Sequence, residues 1–141
     1  MALPEGLEQL LDHIPFHKLL GMRVIPGEPG HAHAELPFRP ELIGDPMRPA
    51  IHGGVISTMA DACGGFAAWS TLTLMDRVST IDLRVDYLAP GAPETLYADA
   101  EVVRVGNRVA VVDIRVWQGV PERRVVVATG KGVYNIRRAD D

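Results

Sequence analysis

The sequence predicts an α+β domain in which one long central helix is wrapped by a curved antiparallel sheet of about six strands, with a short helix at the N-terminus. Two observations lead to this fold class. Residues 51–75 contain no Lys or Arg and repeat apolar and small residues at helical spacing, which is typical of a buried helix. Around this segment, several runs alternate with period two between tight-turn residues, which indicates antiparallel strands whose one face needs a cover.

The first half of the chain supplies a helix, two strands and a loop. Apolar residues recur at helical spacing near the N-terminus, which predicts a helix over about residues 4–14 that ends or kinks at Pro15. Another short turn is expected over residues 16–20, before Gly21. Strands are expected at residues 22–26 and 31–38, with a glycine-containing turn between them. Residues 39–50 include three prolines and one glycine and are expected to form a loop.

The second half supplies the central helix and the rest of the sheet. The helix is predicted over about residues 54–75, and a polar, frayed tail over residues 137–141. Between them, four strands are expected, at residues 78–88, 96–105, 109–117 and 124–136. The Gly106-Asn107 pair is a strong signal for a tight hairpin. Residues 1–141 are therefore interpreted as a single domain.

Composition excludes several classes of function. A net charge of -4 without a basic stripe argues against nucleic-acid binding. The uncharged run at residues 62–75 is too short, and too rich in Gly, Ser and Thr, to predict a membrane span. No cationic region precedes an apolar one at the N-terminus, so no secretory signal is expected. The single cysteine, Cys63, excludes an internal disulfide and fits a reducing, cytoplasmic location.

The His-Gly-Gly triplet at residues 52–54 and the lone carboxylate of Asp61 are the candidate functional residues. The first turn of a helix leaves backbone N–H groups unpaired, and glycines there let a substrate approach them closely. The triplet therefore predicts a site that binds an oxyanion. Asp61 stands where the pattern calls for an apolar residue, so it is a candidate catalytic carboxylate. The alternative is a structural Asp bonded to a hydroxyl group, such as that of Ser57 or Thr58.

These motifs together resemble those of the hotdog-fold acyl-CoA thioesterases, specifically the PaaI-type (phenylacetate-degradation) group. The similarity covers nearly the whole chain. It is sharpest in LIGDP at residues 42–46, IHGGVI at 51–56 and Asp61, and continues in DLRVDYLAP at 82–90 and in the strand at 128–134. The triplet alone is a weak signal. Its combination with an Asp nine residues after the His, and with the order of helix and strands, is a stronger one.

The resemblance implies a role for each residue of the site. The Gly53 amide would polarise the thioester carbonyl, while Gly54 would help the backbone and the substrate approach closely. Asp61 would activate water as a general base or attack the thioester carbon directly. His52 would bind or orient the thioester, and Thr80 would position the water or the carboxylate.

Four further polar residues are candidates for substrate binding. Many relatives have Asn in the loop before the triplet, where the nearest match here is Asp45 or the proline after it. A carboxylate at Asp45 would repel Asp61 if the two were close, or raise the proton affinity of one of them. Arg84, Arg104 and Arg108 are candidates for contacts with the phosphates of coenzyme A. Solvated strand charges are the alternative for each arginine.

The spacing of Gly53 and Asp61 predicts a site shared between two chains. The two residues are eight positions apart, about 12 Å at about 1.5 Å per residue of helix, so both cannot contact one carbonyl group. A second, antiparallel copy of the helix would bring its Asp61 beside the first Gly53. A two-fold homodimer then holds two identical sites. The resemblance implies such homodimers, and a homotetramer built from them.

Other features are expected to be structural. Cys63 has no basic partner within sequence reach and is interpreted as small buried filler. Gly64 and Gly65 weaken the helix, which predicts close packing at that point. Two pairs of histidines are spaced for metal binding (His13 with His17, His31 with His33), but neither pair has a complete ligand set, so no metal site is expected.

Three classes of function remain open. The first is an acyl-CoA thioesterase, which needs no cofactor because coenzyme A is part of the small-molecule substrate. The second is a hotdog-fold enoyl-thioester hydratase or dehydratase. Those enzymes place Asp before His at close spacing, whereas here His52 precedes Asp61, and this order favours hydrolysis. The third is a non-catalytic acyl-CoA-binding protein.

Overall fold

The computed structural model describes residues 4–140 and has a six-stranded antiparallel sheet wrapped around one long helix. The elements are α1 (Leu7–Leu11), α2 (Pro15–Leu20), β1 (Arg23–Pro26), β2 (His31–Leu36), β3 (Ile43–Asp45), β4 (Ala50–Ile51), α3 (Gly53–Trp69), β5 (Arg77–Tyr87), β6 (Leu96–Val105), β7 (Val109–Val120) and β8 (Arg123–Arg137). The sheet order is β1-β2-β6-β7-β8-β5, and β3 pairs separately with β4. This confirms the predicted fold class.

Helix α3 buries one side against the inner face of the sheet. Its buried residues recur at helical spacing and belong to the main hydrophobic core: Ile56, Met59, Ala60, Cys63, Phe66 and Ala67. The other side, here called the open side of α3, carries small or polar residues that are half-buried in the single chain, among them Thr58, Asp61, Ala62 and Gly65. The predicted burial of the helix is therefore confirmed for the side that packs against the sheet. No helix within residues 4–140 has the length and apolar character to cross a membrane.

Helix α3 ends at Trp69, six residues before the predicted end at residue 75. The hydroxyl of Ser70 donates to the Ala67 carbonyl at 2.6 Å and accepts the Gly30 amide at 2.8 Å. Further on, the buried carboxylate of Asp76 accepts the Thr73 amide at 2.8 Å. Side chains that bond the nearby backbone in this way compete with helical hydrogen bonds, so the segment folds as turns.

The N-terminal region forms two short helices: α1 is shorter than the predicted helix over residues 4–14, and α2 includes the turn expected over residues 16–20. Pro15 is the first residue of α2, a position where its missing N–H and fixed φ favour a helix. Gly21 closes α2 with a left-handed φ of 78°, which glycine adopts without strain. Pro15 therefore starts a second helix, whereas the first already ends at Leu11. Residues 1–3 of the chain lie outside the described part.

The expected frayed tail at residues 137–141 is instead tied to the fold. Arg137 is the last residue of β8. Arg138 donates to the carbonyl oxygens of Gly106 and Asn107 at 3.1 and 3.2 Å, and the Ala139 amide donates to Asp76 at 2.9 Å. These hydrogen bonds join the tail to the β6–β7 hairpin and to the turn at Asp76. Both partners are distant in sequence, so the polar composition of the tail does not reveal them. Residue 141 lies outside the described part.

The strand predictions agree with the structure to within a few residues. The hairpin at Gly106-Asn107 is confirmed, since β6 ends at Val105 and β7 begins at Val109. Strand β2 is two residues shorter than predicted, and β7 continues to Val120. The predicted loop at residues 39–50 contains a 3-10 turn and the short β3–β4 pair.

A β-bulge in β5 decides which side chains face α3. The register of β5 on β8 shifts between Thr80 and Asp82, so Ile81 is the extra residue. Thr80 and Leu83 both face the helix side of the sheet as a result. Arg84 faces the outer side, where it lies among the charged residues of the neighbouring strands. Strict period-two alternation would have placed Thr80 and Arg84 on the same face.

The close packing predicted at Gly64 and Gly65 is confirmed at Gly64, which lies against Tyr134 of β8. A Cβ atom on Gly64 would lie within van der Waals overlap of the Tyr134 hydroxyl and 2.7 Å from Ile114 Cδ1. A Cβ atom on Gly132 would overlap the Tyr134 ring. At Gly65, by contrast, the nearest Tyr134 atom would be 3.5 Å away, an ordinary contact. Gly64 and Gly132 therefore form a socket for the Tyr134 ring.

We expect Gly64→Ala to lower the free energy of unfolding by about 1–3 kcal/mol, the usual effect of overpacking a core. Gly65→Ala is the matched control, because its new methyl group makes only an ordinary contact within the single chain and replacing a mid-helix glycine stabilises a helix by about 0.5–1 kcal/mol. Urea unfolding followed by circular dichroism measures both. Equal unfolding midpoints for Gly64→Ala and wild type would contradict the tight socket.

Candidate active site

The start of α3 is held in place by His52 and Tyr87. His52 is the N-cap residue, and its Nδ1 accepts the Gly54 amide at 2.8 Å. A neutral His52 ring that accepts at Nδ1 carries its proton on Nε2. The Tyr87 hydroxyl donates to the Gly53 carbonyl oxygen at 3.1 Å. The peptide group between Gly53 and Gly54 is therefore fixed at both of its ends.

The Gly53 amide is the donor that this arrangement leaves available. The Gly54 amide is bonded to His52, and the Val55 amide donates to the His52 carbonyl at 3.0 Å. Gly53 is the first residue of α3, where an amide has no partner inside the helix. Within the described residues no hydrogen bond involves its N–H. A single backbone donor at a helix N-terminus is thus positioned to bind an oxygen that carries negative charge.

A groove of about 420 Å³ lies beside this donor. Its lining includes Gly53, His52 and the ring of Tyr87. Apolar side chains of three segments contribute one side: Ile51, Ile56, Leu88 and Ala89. The combination of a backbone donor and an apolar wall suits a carbonyl compound with an attached hydrocarbon group.

Asp45 lies in the same groove and is paired with Arg48. Arg48 Nε donates to the Asp45 carboxylate at 2.9 Å, and the Met47 amide donates to it at 3.0 Å. The hydrogen bond from Arg48, followed by that from Met47, lowers the pKa of Asp45 below its usual value. Asp61 does not line this groove. The structure thus gives Asp45 a cationic partner, Arg48, and the single chain does not place it beside Asp61.

Asp61 lies further along α3 and is held by the sheet. Its carboxylate accepts a hydrogen bond of 2.7 Å from the Thr80 hydroxyl on β5. The hydroxyls of Ser57 and Thr58 donate instead to the Gly54 carbonyl, at 3.1 and 2.7 Å. The hydroxyl partner of Asp61 is therefore Thr80, in place of Ser57 or Thr58, and a structural role for the carboxylate stays open. Asp61 is half-buried on the open side of α3, where a second molecule has access to it.

The arginines predicted to bind coenzyme A are not brought together. Arg84 is exposed on the outer face of the sheet and bonds Asp86 at 3.3 Å. Arg104 lies on β6 beside a bulge, and Arg108 lies in the β6–β7 hairpin. None of the three lines the groove beside Gly53, whereas Arg48 does. Arg48 was not among the predicted residues, although its position three residues after Asp45 is compatible with the ion pair that the two side chains form.

Two tyrosines at the site were also not among the predicted residues. Tyr87 donates to Gly53, and Tyr134 donates to the Asp61 carbonyl oxygen at 3.1 Å. Each tyrosine lies in a predicted strand, and the alternating pattern of that strand predicts only a packing role for it. The hydroxyl partners are 34 and 73 positions away in the chain, so no local spacing reveals them.

Cys63 and the histidine pairs are not part of the groove. Burial raises the pKa of the Cys63 thiol far above its usual range, which keeps the thiol protonated and unreactive. Within residues 4–140, no group of three or more His, Cys, Asp or Glu side chains is arranged to hold a metal ion.

A long helix wrapped by an antiparallel sheet is the hotdog fold, and similarity to known proteins identifies this chain as a thioester hydrolase. The chain belongs to the Thioesterase superfamily, whose family model matches residues 49–124. The matched residues run from just before α3 into β8 and include Gly53, Asp61 and Thr80.

Individual relatives agree with this assignment. The chain is 32% identical over 142 residues to the medium/long-chain acyl-CoA thioesterase YigI of Escherichia coli K12, covering 92% of this chain and 90% of the relative. A crystal structure from Shewanella oneidensis, related to the thioesterase superfamily, has a TM-score of 0.76 at 29% identity and covers 93% of this chain and 95% of its own. The E. coli PaaI protein has a TM-score of 0.79 at 23% identity, with 93% and 90% covered. The PaaI likeness shows the shared fold.

Proposed function

We propose that this protein hydrolyses acyl-CoA thioesters to the free acid and coenzyme A, as a PaaI-type thioesterase. The observation that carries the proposal is the pair of groups on α3: the available Gly53 amide and the Asp61 carboxylate held by Thr80. The name of the E. coli relative YigI, a medium/long-chain acyl-CoA thioesterase, supports the choice of an acyl-CoA substrate.

The two groups supply complementary parts of the chemistry. The Gly53 N–H donates to the thioester oxygen as that oxygen becomes negative in the transition state. The Asp61 carboxylate takes a proton from water, whose oxygen bonds the thioester carbon, or it bonds that carbon itself. In both routes the carbon–sulfur bond then breaks and coenzyme A leaves as the thiolate. In the second route water then hydrolyses the anhydride formed between the acyl group and Asp61, which releases the free acid and restores the carboxylate. Both routes need a charged carboxylate, and the Thr80 hydroxyl orients it.

The reacting groups meet across a two-fold dimer in this proposal. Within one chain Gly53 and Asp61 are separated by eight positions of helix, about 12 Å. The open side of α3 is lined with small residues, which lets a second helix approach closely. Strand β5 is at the edge of the sheet and has exposed apolar side chains such as Ile81, which is 57% exposed. An antiparallel copy therefore brings Asp61 of the partner subunit towards Gly53.

We propose further that two such dimers form a homotetramer through the outer face of the sheet, which carries many charged side chains. Contacts of Arg84, Arg104 and Arg108 with coenzyme A stay predictions for this assembly. Sedimentation velocity on the purified protein distinguishes monomer, dimer and tetramer. A monomer at concentrations where the enzyme is active would contradict the shared site.

A saturated acyl-CoA is the substrate that tests the reaction. It has no double bond to hydrate, so we expect it to release free thiol, detected with a thiol-reactive dye. A panel of aromatic, short-chain and medium- to long-chain acyl groups then identifies the preferred acid. Reaction of enoyl-CoA alone, without thiol release, would favour the hydratase. Binding of acyl-CoA without any reaction would favour the non-catalytic protein.

We expect the reaction to need no cofactor, because an amide donor and a carboxylate are sufficient for a leaving group as good as a thiolate. Dialysis against a chelator, followed by the thiol-release assay, checks this expectation. A cytoplasmic location is part of the same proposal, since acyl-CoA substrates occur there.

A further inference from the structure

We infer that Tyr134 is a positioning residue for Asp61, which it holds through the backbone of α3. The inference rests on the proposed function of Asp61. It assigns Tyr134 no contact with the substrate. Its role is to set where the α3 turn that carries the carboxylate lies above the sheet.

Tyr134 and Thr80 hold Asp61 from two directions. They are directly opposite each other in the β5–β8 register, and both side chains face α3. The Thr80 hydroxyl donates to the Asp61 carboxylate at 2.7 Å, and the Tyr134 hydroxyl donates to the Asp61 carbonyl oxygen at 3.1 Å. Two neighbouring side chains of the sheet therefore fix the side chain and the main chain of the same residue.

The Tyr134 ring cannot move away from this position. The residue is 1% exposed, and its ring fills the socket formed by Gly64 and Gly132. Any side chain at either glycine would overlap the ring or the hydroxyl. Gly64 is three residues after Asp61, so the socket and the hydrogen bond act on the same turn of α3. The close packing predicted at Gly64 is thus connected to the site.

The hydrogen bond from Tyr134 to the Asp61 carbonyl lies next to two glycines in the interior of α3, which give the helix backbone extra conformational freedom. Asp61 is followed closely by Gly64 and Gly65, and glycine in a helix interior raises the backbone freedom that helix formation must restrict. A bond from the rigid sheet to the Asp61 carbonyl compensates for this freedom. Without it, the carboxylate keeps its Thr80 partner but its main chain can shift.

The Tyr134 hydroxyl remains a donor under all ordinary conditions. Burial raises its pKa far above the usual range for tyrosine, and the negative charge of Asp61 raises it further. The hydroxyl donates to the Asp61 carbonyl oxygen at 3.1 Å, an atom that takes no part in the proposed reaction. The effect of Tyr134 has to come from geometry, which separates a positioning residue from a second base.

Tyr134→Phe tests the inference, because it removes the hydroxyl and keeps the ring in its socket. We expect kcat to fall about tenfold, which corresponds to about 1.4 kcal/mol of transition-state stabilisation, while KM stays within about twofold. Tyr97→Phe is the matched control: Tyr97 stacks on Trp117 on the outer face of the sheet, with ring centroids 4.6 Å apart. Circular dichroism and thermal unfolding verify that both variants fold.

A double-mutant cycle separates positioning from general packing. In an Asp61→Asn background, Tyr134→Phe should leave the residual kcat unchanged, because there is no catalytic carboxylate left to position. An equal fold-loss in both backgrounds would overturn the inference and make Tyr134 a packing residue. Full activity of Tyr134→Phe, with an inactive Asp61→Asn, would overturn this inference and leave the proposed function standing. Normal turnover by folded Asp61→Asn would overturn both.

Discussion

Asp61→Asn is expected to lower kcat by at least about a hundredfold, the lower range for loss of a general base. Asparagine has nearly the same shape and still accepts the hydrogen bond of 2.7 Å from Thr80. It lacks the charge that both proposed routes to thioester cleavage require. Because Asp61 is half-buried on the open side of α3, the substitution leaves the packed side of the helix intact. Thiol release under saturating acyl-CoA measures the effect.

Asp113→Asn is the matched control for this experiment. Asp113 is an exposed carboxylate on the outer face of the sheet, paired with Lys131 at 3.0 Å, and an exposed pair of this kind contributes little to stability. We expect its kcat to equal that of wild type. Near-normal turnover by a folded Asp61→Asn protein would show that Asp61 is structural.

The second large effect is expected from mixing two inactive chains. Gly53→Pro removes the proposed amide donor, and loss of one oxyanion donor lowers kcat by about 10²–10³-fold. Proline suits this position because residue 53 is the first of α3, and the preceding His52 has an extended ψ of 132°. Asp61→Ala removes the carboxylate. Each variant alone forms dimers in which both sites are damaged.

A mixed dimer of these two variants contains one site damaged twice and one complete site. With random pairing after co-expression about half of the dimers are mixed, so roughly a quarter of the wild-type activity should return. The control pairs Gly53→Pro with a chain carrying both substitutions, because no complete site can then form. Circular dichroism and sizing establish that Gly53→Pro folds and dimerises. Verified mixed dimers without activity would show that the two groups do not meet across the interface.

Much of this protein is determined by local sequence patterns. Helical spacing identifies the long helix, and the Gly106-Asn107 pair identifies the hairpin, because both depend on residues that are neighbours in the chain. The same holds for the two candidate groups on α3. Gly53 stands at a helix start, and Asp61 interrupts an apolar pattern. Their separation of eight positions predicts a site shared with a partner chain, since helix geometry does not depend on the rest of the fold.

Tertiary structure alone decided the contacts between segments distant in sequence. The end of α3 at Trp69 depends on Ser70 bonding Gly30, and the side of the sheet that Arg84 faces depends on the bulge at Ile81. The hydroxyl of Tyr134 reaches Asp61 across 73 positions of chain. Periodicity reports which side of an element is apolar, but it carries no information about which distant group lies opposite. Such partners are set when the sheet closes around the helix.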